Sequence, residues 1–330
     1  MSEWRIFDGE GAAWDSALQK FSSTHIYQST GWAGYKKAAG WDCVRLTLSG
    51  EDGVPCAMVQ ALFKRVPLLG ALLWAPGGPV WKSAPQPDDT NLLAEALRAA
   101  AGASYARLFD MSEAAHSYTP RWQRPWVPNG SGASVLVDVT LPREEWLSKV
   151  SSKHRYYVRQ ALRELIQWRI GNDDDQLAAL AALTEEMSRL KGAAHQRDQD
   201  ELRALCSALG TGVLTLIGYM DGQPVTGCQV LRWGEMAIYA TAATNWTGRS
   251  ISAAYAMTAE LRDVLRSGGV TTLDFGGIDP GNPAARGVDH FKGGFGGRTV
   301  NYAGEQEWAS SPLARAMGNL AVRLRRGSGA

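Results

Sequence analysis

The chain has 330 residues, a formal net charge of +1, and 45% apolar and 20% charged side chains. This length and balance predict a globular protein of two domains, and 13 Trp, 10 Tyr and 7 Phe supply the apolar surface that disordered chains lack. The longest apolar run, Leu68 to Ala75, is far shorter than the roughly 20 residues of a membrane span. The start of the chain does not resemble a secretory signal, so we expect a cytoplasmic protein. The scattered cysteines and histidines predict no metal site.

One pattern of elements occurs twice along the chain. In each half, an Asp-Gly pair joins two strands, and the turns are Asp52-Gly53 and Asp221-Gly222. An apolar run, an amphipathic helix and a strand ending in an acid then follow; these are Gly70–Pro76, Asp89–Ala101 and Arg107–Asp110 in the first half, and Met236–Ala243, Ser252–Ser267 and Thr272–Asp274 in the second. We therefore predict an α/β protein made of two copies of one unit.

A helix start marks the join between the copies. Pro142 is followed by Glu144 and Glu145, and a proline with acids in the first turn is typical of a helix N-terminus. The sequence therefore predicts a boundary near Thr140, with domains 1–140 and 141–330.

Two basic segments lie in the second half. Arg155, Arg159 and Arg163 recur every four residues, which predicts one helix face suited to RNA phosphates or simply to solvent. At the C-terminus, arginines alternate with leucines. Such a helix could lie on a membrane surface or on tRNA, or pack on the domain with its charges in water; the residues are Arg315, Arg323, Arg325 and Arg326, with Leu313, Met317, Leu320 and Leu324.

Glycines surround a single lysine near residue 290. The segments are Asp274-Phe275-Gly276-Gly277 and Phe291-Lys292-Gly293-Gly294-Phe295-Gly296-Gly297. Glycine is used where the backbone turns at positive φ or approaches a ligand. A lysine in such a setting could stabilise an oxyanion or a phosphate, or the segment could be a structural turn with a solvated lysine.

These segments resemble the signature of the FemABX family of peptidyltransferases. The resemblance implies two tandem GNAT-like domains with mixed sheets flanked by helices, the first binding the acceptor and the second carrying out acyl transfer. It also implies transfer of an amino acid from aminoacyl-tRNA, the co-substrate, to the amine of a peptidyl acceptor such as a nucleotide-linked peptidoglycan precursor or a peptidyl natural product, with no further cofactor. Other matching pieces are Gln28-Ser29, Trp32, Lys36, Gly40-Trp41, Pro76-Gly77-Gly78-Pro79-Val80, Lys153, Arg155, Arg159, Ala161 and Arg197.

The resemblance also assigns candidate site residues. Lys36 and Arg197 match positions that hold the phosphate-bearing part of the acceptor, with Trp32 close to Lys36 in sequence. Tyr239 matches a tyrosine at the site, and Phe291-Lys292 match the pair set against the reacting ester. We predict that Lys292 stabilises the oxyanion, and that Asp110, the ester's own ribose hydroxyl or water accepts the amine proton.

The sequence departs from the family pattern at three points. Met111 replaces a proline, Glu201 replaces an aromatic residue, and no long helical arm is inserted, which favours the compact members. An acyl-CoA-dependent GNAT enzyme is the main alternative, but Asn245-Trp246-Thr247-Gly248-Arg249-Ser250 lacks most of the glycines expected of a CoA pyrophosphate loop. A non-catalytic module that only recognises a nucleotide-linked ligand is the other alternative.

Overall fold

The computed structural model describes residues 3–50, 53–67, 69–113, 118–191 and 197–327. These residues form two compact units. The first runs to Gly132 and resumes at Asn301, and the second is Ala133–Val300. Within the described residues, no helix combines the length and apolarity needed to cross a membrane.

The segment up to Asp110 contains both helices and strands, which are numbered here in chain order. They are β1 Trp4–Ile6, α1 Gly11–Leu18, α2 Thr30–Ala38, β2 Asp42–Ser49, β3 Pro55–Val66, β4 Gly70–Pro76, β5 Val80–Trp81, α3 Pro87–Ala101 and β6 Ala103–Asp110.

The remaining elements follow from residue 133 onward. They are β7 Ala133–Asp138, α4 Arg143–Lys149, α5 Ser152–Ala161, β8 Gln167–Gly171, α6 Asp174–Lys191, α7 Gln199–Leu209, β9 Val213–Met220, β10 Gln223–Trp233, β11 Met236–Thr244, α8 Trp246–Ser250, α9 Ala253–Ser267, β12 Thr272–Ile278, α10 Arg286–Gly293, β13 Arg298–Asn301, β14 Gly304–Ala309 and α11 Pro312–Gly327.

Each unit contains one mixed sheet, and the two sheets repeat the same strand order. The first is β1-β2-β3-β4-β6-β14, with β5 beside β3, and the second is β8-β9-β10-β11-β12-β7-β13. In both, a hairpin leads into a strand that pairs in parallel with the strand after the helix, β4 with β6 and β11 with β12. The predicted α/β fold of two similar units is therefore confirmed.

In each sheet, the strand that pairs with the final strand of the repeat comes from a chain segment outside that repeat. β14, near the C-terminus, pairs antiparallel with β6, and β7, which precedes the second repeat, pairs antiparallel with β12. The compact units therefore differ from the predicted domains 1–140 and 141–330, because strand pairing assigns β7 to the second unit and the segment from Asn301 to the first.

Local signals explain why the repeated elements form where they do. Asp221 and Gly222 both have positive φ, at 49° and 74°, as a primed hairpin turn requires. Gly53 has φ 74°, whereas its partner in the predicted turn, Asp52, lies outside the described residues. Pro142 caps α4 and two glutamates occupy its first turn, as predicted. Helix α3 packs on the first sheet and α9 on the second, and their buried side chains include Leu93, Leu97, Leu261 and Leu265.

The C-terminal helix α11 is held on the first unit by a buried polar network. The Arg107 guanidinium lies 3.5 Å from the carboxylates of Glu305 and Glu307. Asn319 of α11 donates to Glu307 at 2.7 Å and accepts from Arg107 at 3.1 Å. All four side chains are buried. Because a buried charge is costly without partners, this network binds β6, β14 and α11 into one body.

Candidate active site

The parallel strands β11 and β12 separate partway along their length. In the described residues their ladder ends at Ile238 opposite Asp274, although β11 continues to Thr244 and β12 to Ile278. The equivalent strands of the first unit, β4 and β6, stay paired as far as Pro76 and Phe109. Within the described residues, the second unit therefore has an opening in its sheet that the first unit lacks.

A bulge in β12 lies beside this opening. Phe275 and Gly276 together oppose one residue of β7, and Gly276 has φ 77°, which favours glycine. The Asp274 carboxylate stabilises the bulge by accepting from the Gly276 amide at 2.7 Å and from the Ser134 hydroxyl. The sequence prediction ended this strand at Asp274; the strand instead continues through both glycines, because the bulge accommodates them.

The Lys292 side chain, from the last turn of α10, points to the bulge. Its Nζ donates to the Gly277 carbonyl at 2.6 Å. A Cβ atom on Gly276 would lie 3.8 Å from Lys292 Nζ and 3.8 Å from the Tyr239 carbonyl, so the ammonium lies close to both separating strands. Burial lowers the pKa of Lys292, while Asp274 and Asp289 oppose that shift. The structure thus places a partly desolvated cation at the opening.

A cavity of about 790 Å³ adjoins Lys292. Its walls come from β11, the start of α9 and α10, and include Tyr239, Tyr255, Phe291 and Arg249. Burial raises the pKa of Tyr239 well above its ordinary value, so its phenol stays protonated as a potential donor. Three predicted residues, Tyr239, Phe291 and Lys292, are therefore brought together in one largely apolar cavity.

His154, which no sequence motif singled out, supports the lysine-bearing helix α10. His154 is buried, and its Nε2 lies 3.2 Å from the Phe291 carbonyl, so that nitrogen carries the proton and donates. The Ser151 hydroxyl lies 3.0 Å from Nδ1. Burial lowers the pKa of His154. The spacing of Ser151 and His154, typical of a helix N-cap, is the one local signal for this contact.

Several motif glycines serve packing rather than ligand approach. A Cβ on Gly294 would lie 2.2 Å from the His154 ring, and one on Gly297 would lie 2.7 Å from the Leu136 carbonyl. Gly296 has φ 75°. The glycines therefore let α10 and the following turn lie against α5 and β7, which fixes the position of Lys292.

Lys36 and Trp32 lie together on α2 in the first unit. Lys36 Nζ is 4.8 Å from the Trp32 ring centre and 4.6 Å from that of Tyr35, and Trp32 itself is buried. The neighbouring Lys37 is exposed. The two lysines therefore differ, since aromatic faces orient Lys36.

Asp110 also belongs to the first unit, where it is fully buried. Its carboxylate accepts from the Ser112 amide at 2.9 Å and from the Tyr118 hydroxyl at 2.8 Å. This geometry repeats that of Asp274, which likewise accepts from the amide two residues later. The hydrogen bonds favour a structural role for Asp110, and its role as proton acceptor stays a prediction.

Arg197 precedes α7 and is mostly buried. Its Nε is 3.9 Å from Glu201, and one terminal nitrogen is buried without a hydrogen-bond partner among the described residues. It is not one of the residues around the cavity beside Lys292. The preceding His195 lies outside the described residues.

The predicted arginine face is only partly formed. Arg159 is exposed on α5, but Arg155 is half-buried and its guanidinium donates to the Leu147 carbonyl at 3.4 Å. Helix α5 ends at Ala161, so the exposed Arg163 lies in the turn beyond it. The prediction of three arginines on one helix is wrong because the helix is too short.

The segment after β11 does not form a glycine-rich phosphate loop. It folds as the short helix α8, and Asn245 caps it by accepting from the Gly248 amide at 2.8 Å. A Cβ on Gly248 would lie 2.2 Å from the Val225 carbonyl, so this glycine is needed for packing. Elsewhere in the described chain, no group of three His, Cys, Asp or Glu side chains could hold a metal ion.

Parts of the sequence and the fold are similar to known proteins. Residues 152–293 match a family described as Acetyltransferase (GNAT) domain. No curated protein matches the chain in sequence. The crystal structure of FemX is similar with a TM-score of 0.78 at 16% identity, covering 95% of this chain and 100% of that one.

Two further solved structures share the fold. L-PGS from Bacillus licheniformis has a TM-score of 0.59 at 15% identity, covering 96% of each chain. A tandem GNAT protein from the clavulanic acid biosynthesis pathway has a TM-score of 0.57 at 9% identity, covering 94% of this chain and 99% of that one. Residues 152–293 thus match a GNAT acetyltransferase family within a chain that has the fold of FemX, in agreement with the predicted α/β fold of two similar units, and the family match supports an acyltransferase.

Proposed function

We propose that this protein transfers an amino acid from aminoacyl-tRNA to the amine of a peptidyl acceptor. The observation that carries the proposal is the position of Lys292. Its ammonium lies where β11 and β12 separate, beside a cavity walled by Tyr239 and Phe291. An acyl carbonyl in this opening would meet a preorganised cation, which is the arrangement that stabilises a tetrahedral oxyanion.

The reaction needs alignment and charge stabilisation more than a covalent enzyme intermediate. The neutral amine attacks the ester carbonyl, the new C–N bond forms, and negative charge develops on the carbonyl oxygen facing Lys292. The C–O bond to the ribose then breaks, and the departing oxygen takes up a proton while the nitrogen loses one. Asp110, a ribose hydroxyl or water is the proposed proton acceptor, and the burial of Asp110 favours the last two.

The acceptor is proposed to carry a nucleotide. Lys36 presents a cation ordered by two aromatic rings, and Arg197 carries a mostly buried guanidinium. Both are suited to a diphosphate. This assignment follows the resemblance to the FemABX family, whose members use such acceptors in peptidoglycan precursors or in peptidyl natural products.

The donor tRNA is proposed to contact the exposed surface of α5. Arg159 is exposed on α5 and Arg163 in the turn that follows it, and Tyr156 is 64% exposed between Lys153 and Arg159 in the sequence. Cations with an exposed aromatic ring suit phosphates and unstacked bases. A cytoplasmic location, where charged tRNA is available, belongs to the same proposal.

An acyl-CoA-dependent N-acyltransferase is the second candidate. The match to an acetyltransferase family supports it, and the start of α9 borders the cavity at Ser252 and Ala254. Against it, the Gly248 amide is already bonded to Asn245 and Gly248 itself packs on Val225, so α8 offers little to a pyrophosphate. A non-catalytic module that only binds a nucleotide-linked ligand is the third candidate.

One transfer assay distinguishes the candidates. The full chain is incubated with a pool of charged tRNAs, nucleotide-linked peptides and, separately, acyl-CoA, and products are identified by mass spectrometry. Transfer that RNase abolishes supports the proposal, whereas transfer that needs acyl-CoA and resists RNase supports the second candidate. Ligand binding without any transfer supports the third.

A further inference from the structure

The C-terminal helix α11 exposes a row of leucines. Leu313, Leu320 and Leu324 are 64%, 45% and 65% exposed. Their spacing of seven and four residues places them on one helix face. Ala314 and Asn319, on the other side of the helix, are buried. A single exposed leucine needs no explanation, but three in a row form an apolar patch.

The same helix is strongly cationic. Residues Pro312–Gly327 include four arginines and no acidic side chain. Arg315 pairs with Glu307 at 2.6 Å and so belongs to the buried network, whereas Arg323 and Arg325 are exposed. Exposed leucines flanked by arginines are typical of helices that lie in the interface of an anionic membrane. RNA would use the arginines but leave the leucines in water, so the pattern favours lipid over RNA.

A cavity of about 460 Å³ lies against the inner side of α11. Trp41 and Trp74 line it, with Lys64 Nζ 5.1 Å from the first ring centre and the Arg325 guanidinium 5.7 Å from the second. Indole rings beside cations are the side chains that proteins place at the level of lipid headgroups. The cavity therefore extends the cationic and amphipathic character of the helix onto the body of the first unit.

We propose that α11 docks this protein on an anionic phospholipid bilayer. Leu320 and Leu324 enter the boundary of the acyl chains, and the exposed Arg323 and Arg325 face the headgroup phosphates. This surface belongs to the first unit and uses none of the residues assigned to acyl transfer, so the docking proposal does not depend on the proposed reaction.

Vesicle flotation of the full chain tests the proposal. Vesicles of phosphatidylcholine with phosphatidylglycerol are compared with phosphatidylcholine alone. The double variant Leu320→Ser with Leu324→Ser should bind the anionic vesicles about 100-fold more weakly, roughly tenfold for each half-exposed leucine. Arg323→Gln should weaken binding about fivefold. Leu165→Ser, which changes an 88% exposed leucine of the second unit, is the matched control and should bind like the parent.

Three results would overturn the proposal. They are equal binding of the parent to both kinds of vesicle, unchanged binding of the double leucine variant, and loss of tRNA binding rather than vesicle binding in that variant. Thermal melting confirms that each variant is folded. Transfer to a soluble acceptor should be unchanged in the double variant, so failure of docking and failure of the proposed reaction give different results.

Discussion

Replacing Lys292 by methionine tests the centre of the proposed mechanism. Methionine keeps most of the side-chain volume but removes the ammonium that donates to Gly277 at 2.6 Å. An ammonium has three donors, so the bond to Gly277 leaves capacity for an oxyanion. At about 3 Å and an effective dielectric constant of about 20, the attraction between these charges is about 5 kcal/mol. Loss of one oxyanion donor typically costs about 2.7–4 kcal/mol, which lowers kcat about 10²–10³-fold.

Single-turnover transfer from charged tRNA measures this effect free of product release. The expected result is a large fall in the rate of transfer with little change in acceptor affinity, because the ammonium acts on the transition state. Lys149→Met, a change at an exposed lysine of the same unit, is the matched control. A Lys292→Met variant that is folded and transfers at more than a third of the parent's rate would refute the assignment of Lys292.

Three other predictions follow from particular contacts. Lys36→Ala should raise the KM for a nucleotide-linked acceptor about 10–100-fold through loss of a charge-assisted bond, while the exposed neighbour Lys37→Ala should leave it unchanged in the same kinetic assay. In urea unfolding, Arg107→Ala should cost about 3–5 kcal/mol because it removes the buried cation that lies 3.5 Å from Glu305 and Glu307, with only Glu307 keeping the partner Arg315. Arg121→Ala breaks an exposed pair and should cost at most about 1 kcal/mol, and equal losses would contradict the role of the buried network. Burial lowers the pKa of His25 to about 3, so the unfolded chain binds the proton before the folded chain does as pH falls below about 6.5. The free energy of unfolding should therefore fall by about 2 kcal/mol by pH 5. His25→Gln should flatten this dependence of the unfolding free energy on pH, and an unchanged dependence would show that His25 does not cause it.

Local signals were sufficient to predict most of the repeated elements. The run Gly70–Pro76 coincides with β4, and the run Met236–Ala243 matches β11 to within one residue. Helix α9 begins one residue after the predicted start at Ser252. Apolar periodicity and Asp-Gly turns act over a few residues, so the sequence shows them directly.

Long-range pairing was not predictable in this way. β14 pairs with β6 although some two hundred residues separate Glu307 from its partner Arg107. Apolar periodicity does not show which sheet a strand will join. The domain boundary predicted near Thr140 therefore followed the order of elements in the sequence rather than the pairing of strands. His154 escaped notice for the same reason, because its contact with the Phe291 carbonyl joins residues 137 apart.

The candidate site was predictable in its residues but not in its shape. The FemABX resemblance singled out Lys292, Phe291 and Tyr239, and these residues share one cavity. The bulge at Gly276 and the end of the ladder at Ile238 depend on how three strands meet, which no single segment records. Arg163 shows the converse case, since regular spacing predicted a helical position but α5 ends before it.

The difference between the two repeats gives a physical reason why acyl transfer is assigned to the second. Asp110 and Asp274 lie in equivalent strands, β6 and β12, and each accepts from the amide two residues later. After Asp110 that residue is Ser112, whereas after Asp274 it is Gly276 at positive φ, where a bulge forms. In the first sheet the ladder between β4 and β6 runs to Pro76, where β4 ends, so the described chain has no stretch where these two parallel strands continue unpaired. Because an oxyanion is best stabilised by a cation shielded from water, the repeat that opens beside Lys292 is the one able to supply that setting.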